Sequence, residues 1–401
     1  MSDQIELSLV MPCLNEAETI ATCIKKAQSS IKKLNIKGEV VIADNGSTDG
    51  SREIAKGLGA RVIRVKEKDQ HYGSAIRWGV NAARGKYVIM GDSDDSYDWS
   101  RLELFVEKLR AGHEFVMGNR FKGGIEPGAM PTLHKYLGNP VLSFIGRLFF
   151  NVKIGDFNCG MRGFTREAFM RINPQARGMD FAAEMVVKAA LKGVKITEVP
   201  TTLSPDGRSR EPHLRTWTDG WKVLRFLLLF APAWLFLYPG VLLTLASAAL
   251  ILGIFFQPVN IFGFALDIKS MVYLCFFLII GVQLIFFYYF AKIYTVSNYI
   301  VPMTSRFEKA FDYFTLERGL IFGIILTIFG LALGIYNIFE WSKVDFGLFE
   351  SRENLNYVLV SALMITIGVQ TVTHSFMYSI IGLKIRVPDT GAVDTSVAEM
   401  H

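Results

Sequence analysis

The chain is poor in cysteine, histidine and proline, with four, six and 13 in 401 residues. Cys13, Cys23, Cys159 and Cys275 are scattered, no two at zinc-ligand spacing, and Cys275 lies inside an apolar run. That pattern speaks against a disulfide framework or a structural zinc and suits a reducing cytosol. The first apolar run is followed by Pro12-Cys13-Leu14-Asn15-Glu16 rather than GxGxxG, which disfavours a dinucleotide fold. GxxxxGK[ST], GxSxG and HExxH are also absent, which removes P-loop, α/β-hydrolase and zincin chemistry. The net charge of +6 comes without a basic run or a nucleic-acid motif, so no nucleic-acid partner is expected. An anionic lipid or a phosphate-bearing partner suits that charge better. The polar start MSDQIELSLV turns strand-like and does not resemble a cleavable signal peptide. No internal repeat or low-complexity stretch is visible.

Apolar residues, by contrast, are abundant: 51% of the chain, with 31 Phe. They are unevenly placed. Residues 1–225 hold 34 Lys/Arg and 26 Asp/Glu, whereas 226–401 hold 9 and 11. A polar, basic head is thus joined to a membrane tail. The windows 226–266, 270–291, 319–339 and 354–383 are nearly free of charge, and a bilayer core needs about 20 apolar residues per helix. Spans are expected near 234–256, 270–291, 319–340 and 357–381. The 292–318 loop carries Lys292, Arg306, Lys309 and Arg318, and Lys384 and Arg386 follow the last span. Loops 257–269 and 341–353 offer only Lys269, Lys343 and Arg352, with at least as many acids. The positive-inside rule then puts the head, the central loop and the 386–401 tail in the cytoplasm.

Before the first span, Trp217, Trp221, Leu224 and Leu228 recur at helical spacing with Lys222 and Arg225 alongside. This predicts an interfacial helix over 216–233, closing a head domain of 1–215 and preceding a membrane domain of 234–385. Leu137, Val141, Phe144, Ile145 and Leu148 repeat the pattern and fit either a second interfacial helix or an ordinary core helix.

Within the head, strand-like runs at 7–12, 39–45, 60–66, 86–92 and 114–120 alternate with helical stretches near 16–34, 48–58, 73–84 and 100–111. The alternation predicts a parallel-dominated α/β sheet, with ligands at the carboxyl ends of its strands. Two of those ends are acidic. Asp44-Asn45-Gly46-Ser47-Thr48-Asp49-Gly50 could be a turn and a helix cap alone. Asp92-Ser93-Asp94-Asp95-Ser96-Tyr97-Asp98 puts four carboxylates in seven residues. Their repulsion is relieved by a divalent cation, and Mg²⁺ or Mn²⁺ takes one or two carboxylates plus phosphate oxygens. Asp92 and Asp94 are the candidate metal ligands.

The order and spacing of Pro12-Cys13-Leu14-Asn15-Glu16, Asp44–Gly50 and Asp92-Ser93-Asp94 resemble the nucleotide-sugar site of family 2 glycosyltransferases. The likeness is strongest to polyprenyl-phosphate glycosyltransferases, the dolichyl-phosphate mannose synthase and bactoprenyl glucosyltransferase group, and covers about residues 5–232. Gly118-Asn119-Arg120-Phe121 resembles that group's G-S-R-Y, and Asp156–Arg162 its D-x-x-S-G-F-R. Phe181–Glu184 matches F-x-x-E, and Asp206–Arg210 resembles a basic, glycine-containing loop. Cys13-Leu14, Asn45, Cys159 and Asp95-Ser96 depart from the common residues.

The resemblance implies a GT-A-type domain and inverting transfer of one sugar from a nucleoside-diphosphate sugar, of GDP-mannose or UDP-glucose type, to a polyprenyl phosphate. It further implies that Pro12, Leu14, Asn15, Glu16, Asp44, Gly46, Ser47, Asp92 and Ser93 bind the donor. Asp94 and Arg120 would be catalytic, while Arg120, Arg208, Arg210 and Arg215 hold the acceptor phosphate. Asp95, Asp156 and Glu184 complete the site. No strong general base is needed, because a phosphate monoester with a second pKa of about 6 is already largely dianionic near neutrality. Gly207, Pro205 and Pro212 disfavour regular structure, and the bases of 206–215 repel one another. That loop is expected to order when substrate phosphate arrives. Two rivals are a processive polysaccharide synthase, which should carry a Q-x-x-R-W segment absent here, and a transport or scaffold protein with an inactive head. The sequence does not identify the sugar or base, and homo-oligomerisation stays open.

Overall fold

A computed structural model describes residues 4–209, 216–261, 263–298, 301, 303–347 and 352–386. The chain divides into two units, Met1–Ala231 and Pro232–His401. The first is built on strands Leu7–Cys13 (β1), Gly38–Asp44 (β2), Arg61–Arg64 (β3), Tyr87–Met90 (β4), Phe115–Asn119 (β5), Arg162–Thr165 (β6) and Ile196–Pro200 (β7). Their spatial order is β3-β2-β1-β4-β6-β5-β7. β6 runs antiparallel to both neighbours, and all the other pairs are parallel. Helices Ile20–Lys33 (α1), Ser51–Gly57 (α2), Tyr72–Ala82 (α3), Glu103–Arg110 (α4), the short Arg120–Gly123 (α5), Asn139–Phe150 (α6), Arg166–Ile172 (α7), Phe181–Leu191 (α8) and Thr216–Phe230 (α9) complete the unit.

The sheet follows from its sequence. β1 and β2 are continuous apolar runs because helices cover both faces. α1 turns Ile20, Cys23, Ile24 and Ala27 inward at helical spacing and leaves its lysines outside. The register sets Cys13 level with Asp44, so the β1 and β2 loops leave the sheet side by side. The five expected strands and four expected helical stretches all form. β6 and β7 were not expected as strands: β6 is four residues long, and its Arg162 breaks the apolar run. The ordinary-core alternative for 137–148 is not what forms. α6 buries Ser143 and Gly146, while Val141, Phe144 and Leu148 are exposed.

In the second unit, Ala233–Phe256, Ile268–Ser297, Leu316–Ser342 and Leu355–Leu383 are long and apolar enough to cross a membrane. Between 11% and 28% of each span's most apolar stretch is buried, so most of it faces outward, as lipid contact requires. The first runs from a wider helical turn at Ala233–Leu237 into helix Tyr238–Phe256 (α10), and the others belong to helices Ile268–Ser297 (α11), Leu316–Ser342 (α13) and Arg352–Arg386 (α14), with the short Ser305–Tyr313 (α12) between the second and third. A hairpin of Val259–Ile261 (β8) and Phe264–Leu266 (β9) links α10 to α11. With no hydrophobic drive between helices in lipid, close approach of small residues and interhelical hydrogen bonds must hold the bundle. α13 meets α14 where Gly323 faces the Gly368 carbonyl, and Ser361 Oγ donates to the Gly330 carbonyl at 2.8 Å. Gln283 of α11 bonds His374 of α14 at 3.1 Å.

Candidate active site

The carboxyl ends of β1, β2 and β4 form the site. Its first two loops are stitched together: Asn15 N donates to Ser47 Oγ at 3.0 Å, Thr48 N to Asn15 Oδ1 at 2.8 Å, Glu16 N to Ser51 Oγ at 2.8 Å and Ala17 N to Asp49 Oδ2 at 2.9 Å. Asp44 is fully buried, and its Oδ1 accepts the Ser47 N–H at 3.0 Å, holding the turn. Gly46 has φ +100, and a Cβ there would crowd the Gln70 amide. Both constraints favour glycine. The β4 loop joins through Ser93 Oγ, which donates to the Pro12 carbonyl at 2.7 Å, and Thr19 Oγ1, which donates to the Ser93 carbonyl at 2.7 Å. Pro12, Asn15, Glu16, Asp44, Gly46, Ser47 and Ser93 are therefore drawn into one rim, with Leu14 on the same β1 loop.

Asp92 and Asp94 stand at the centre. Tyr72 donates its hydroxyl to Asp92 Oδ1 at 2.9 Å, and a Cβ at Gly160 would stand 2.8 Å from Asp92 Oδ2. Burial, reinforced by the neighbouring Asp94 carboxylate, pushes the Asp92 carboxyl up to about 7. Asp94 Oδ1 accepts from Ser96 N at 3.1 Å and Ser96 Oγ at 2.6 Å, leaving Oδ2 directed to Arg208. Asp95 turns away, with φ +62 and an ion pair to Lys26 at 2.7 Å. Among the described residues no group of three or more His, Cys, Asp or Glu could hold a metal. The paired carboxylates nonetheless fit Mg²⁺ or Mn²⁺, which complete their shells with phosphate oxygens and water.

The four expected acceptor-phosphate arginines are in different situations. Arg120 is buried and grips the fully buried Asp156 bidentately, Nε to Oδ2 at 2.6 Å and Nη2 to Oδ1 at 2.8 Å. Arg208 is paired with carboxylates of the β1 and β4 loops and of its own loop. Its Nη1 donates to Glu16 Oε1 at 3.1 Å, and its Nη2 to Asp94 Oδ2 at 2.6 Å and Asp206 Oδ2 at 3.0 Å. Glu16, Asp94 and Asp206 thus supply three carboxylates to the Arg208 guanidinium in the described part of this loop. Arg210 and Arg215 fall outside the described residues.

Glu184 does not face the acidic pair. Its Oε2 accepts Gln175 N at 2.8 Å and Ala176 N at 2.6 Å, and Lys188 pairs with it at 2.6 Å. That loop in turn takes the Gly73 N–H at the Arg177 carbonyl, so Glu184 supports the Tyr72 turn from behind.

Four supporting residues were not singled out from the sequence. Tyr72 orients Asp92. Tyr97 OH accepts the Gly160 N–H at 2.8 Å. Arg162, fully buried, donates to the Cys159 carbonyl at 2.8 Å and the Phe157 carbonyl at 3.2 Å. Glu198 Oε2 accepts Gly155 N at 2.7 Å and Asn119 Nδ2 at 3.0 Å, tying the Asp156 loop to the end of β5. Burial works against its charge, but hydrogen bonds from Lys122, Gly155 and Asn119 hold the Glu198 carboxyl below the usual range. Arg162 and Tyr97 had a sequence signal, as members of the Asp156–Arg162 and Asp92–Asp98 segments.

Residues 8–172 match the model of glycosyl transferase family 2, and 289–382 that of the glycosyltransferase family 2 C-terminal transmembrane region. The chain is 35% identical over 380 residues to the low-salt glycan biosynthesis hexosyltransferase Agl6 of Haloferax volcanii, covering 94% of this chain and 89% of that one. A dolichyl-phosphate hexose transferase of the same organism is 30% identical over 195 residues, 49% of this chain and 81% of its own length. Glucosyl-3-phosphoglycerate synthase of Mycobacterium tuberculosis aligns at TM-score 0.44 and 22% identity over 57% of this chain and 80% of that one, too distant to bear on the site. With Agl6 matched nearly end to end, the chain belongs to glycosyltransferase family 2, in its polyprenyl-phosphate glycosyltransferase group, and is a sugar-transferring enzyme with four candidate membrane-spanning helices.

Proposed function

We propose that the enzyme transfers a single sugar from a nucleoside-diphosphate sugar to a polyprenyl phosphate, with inversion, at the cytoplasmic membrane face. The observation that carries this reading is the Asp92–Asp94 pair at the end of β4, beside the stitched β1 and β2 loops. A phosphate oxygen of the acceptor would attack the anomeric carbon. The new C–O bond forms as the bond to the diphosphate breaks, and the nucleoside diphosphate departs with that electron pair. Mg²⁺ or Mn²⁺ held by Asp92 and Asp94 would supply neutralising charge for the leaving diphosphate. Asp44 and Glu16 would receive ribose hydroxyls or base N–H donors. Arg120, fixed by Asp156, would present the rest of its planar fork to the acceptor phosphate. The dolichyl-phosphate relative and the apolar spans support a lipid acceptor. The loop charges support a cytoplasmic head.

The test is to incubate membranes containing the protein with a panel of labelled sugar nucleotides, with and without added polyprenyl phosphate. Label from one donor should enter the lipid phase only with the acceptor. If no donor is consumed in any combination, the reading fails.

A further inference from the structure

The site holds its own positive charge. Glu16, Asp94 and Asp206 converge on one guanidinium, whose two terminal nitrogens serve different carboxylates. These groups are screened: side-chain exposure is 13% for Arg208, 12% for Asp94 and 7% for Glu16. Lys26 is paired with Asp95 instead. Arg208 thus offsets the mutual repulsion of the Asp92 and Asp94 carboxylates in a poorly hydrated place.

We propose that Arg208 is the counter-cation of the donor site until a divalent ion binds and competes directly with that ion for Asp94, so that cation binding expels the Arg208 side chain. The proposal rests on the reading of Asp94 as a cation ligand. Its geometric basis is the division of labour at that carboxylate. Both Ser96 hydrogen bonds occupy Oδ1, and Arg208 occupies Oδ2 at 2.6 Å. A divalent ion on Oδ2 and a guanidinium on the same atom would be like charges within a few ångströms, and they exclude each other. The exchange needs no unfolding of the loop. Gly207 N donates to the Asp94 carbonyl at 2.9 Å, and Ser209 N and Oγ donate to Glu18 at 2.8 and 2.7 Å. The backbone on both sides of Arg208 thus has its own anchors, and the side chain alone can swing out. Once released, its fork is available to a substrate phosphate, which reconciles the acceptor role expected from the sequence with the carboxylate pairing observed. The same residue would then guard the carboxylates until the ion binds and meet anions afterwards.

The experiment is a Mn²⁺ titration of the full chain in detergent, without nucleotide, with free ion read from its paramagnetic resonance signal. Arg208→Gln removes the competing charge and should bind Mn²⁺ roughly tenfold or more tightly than the unaltered protein, the scale of a lost charge-assisted hydrogen bond. Arg208→Lys keeps the charge, but one ammonium cannot span both carboxylates, so its affinity should fall between the two. It also serves if the Gln variant does not fold. Adding Asp94→Asn to either variant should abolish the tight site. Equal affinity in all Arg208 forms, or no binding to the Arg208 variants, overturns the competition. If those equal affinities are still lost on Asp94→Asn, the ligand reading survives and only the competition falls. Binding that is indifferent to Asp94→Asn removes the ligand reading itself.

Discussion

Single side chains in this site divide into those that would meet substrate and those that hold them. Asp94→Asn keeps an oxygen for Ser96 but loses the charge at Oδ2, so sugar transfer should fall about 10²–10³-fold while the protein stays folded. Near wild-type turnover in a folded variant would remove Asp94 from the mechanism. Asp156→Asn should behave differently, because it leaves the buried Arg120 guanidinium without its counter-charge. Breaking such a pair costs about 3–5 kcal/mol, so thermal unfolding should move down sharply. An unchanged melting curve would contradict the pairing. Glu198 gives a pH-dependent case. Its folded-state carboxyl is held below the ordinary value of 4.5, so its stabilisation is complete above that value and lost as pH falls through the depressed one. Glu198→Gln should therefore be less stable than the parent at pH 7, by about 1–3 kcal/mol. The gap should close in acid. A gap that widens below pH 4.5 would reverse the assigned sign.

At the scale of elements, the acidic strand ends and apolar spans were legible because each is local. The carboxylates follow β4 directly whatever the rest of the chain does, and an uncharged window of membrane length needs no partner to be recognised. The supporting layer was not legible. Tyr72 meets Asp92 across 20 positions, Glu198 meets Gly155 across 43, and Arg208 meets Asp94 across 114. Such pairs depend on topology, above all on the antiparallel insertion of β6 between β4 and β5. The carboxylate partners of Arg208 were hidden for the same reason: a basic loop in sequence says nothing of which acids stand beside it. In the tail, the α13–α14 contact makes its own prediction. A side chain at Gly368 would strike Thr327 and come within 2.7 Å of the Gly323 carbonyl. Gly368→Leu should lower the temperature at which the detergent-purified protein aggregates, whereas Ile328→Leu on the exposed side of α13 should not. Equal effects would deny that small residues set this contact.

At the scale of the whole molecule, one chain joins a transferase head to a tail of four candidate membrane-spanning helices. Its topology is checked by single cysteines introduced near Phe307 and Phe346, in the two loops with opposite charge bias. In intact cells an impermeant thiol reagent should label the second and spare the first. Labelling at Phe307 would turn the head to the other side. A Val393 probe, beyond the described residues, should be spared as well. The central claim is that one sugar passes to a polyprenyl phosphate, and it is tested most directly by mass spectrometry of the lipid product. Purified full-length enzyme, Mg²⁺ or Mn²⁺, a polyprenyl phosphate and the donor selected from the panel should give the acceptor mass plus a single glycosyl residue. The Asp94→Asn enzyme should give almost none. A ladder of longer glycans, or donor hydrolysis with the lipid unmodified, would contradict the account.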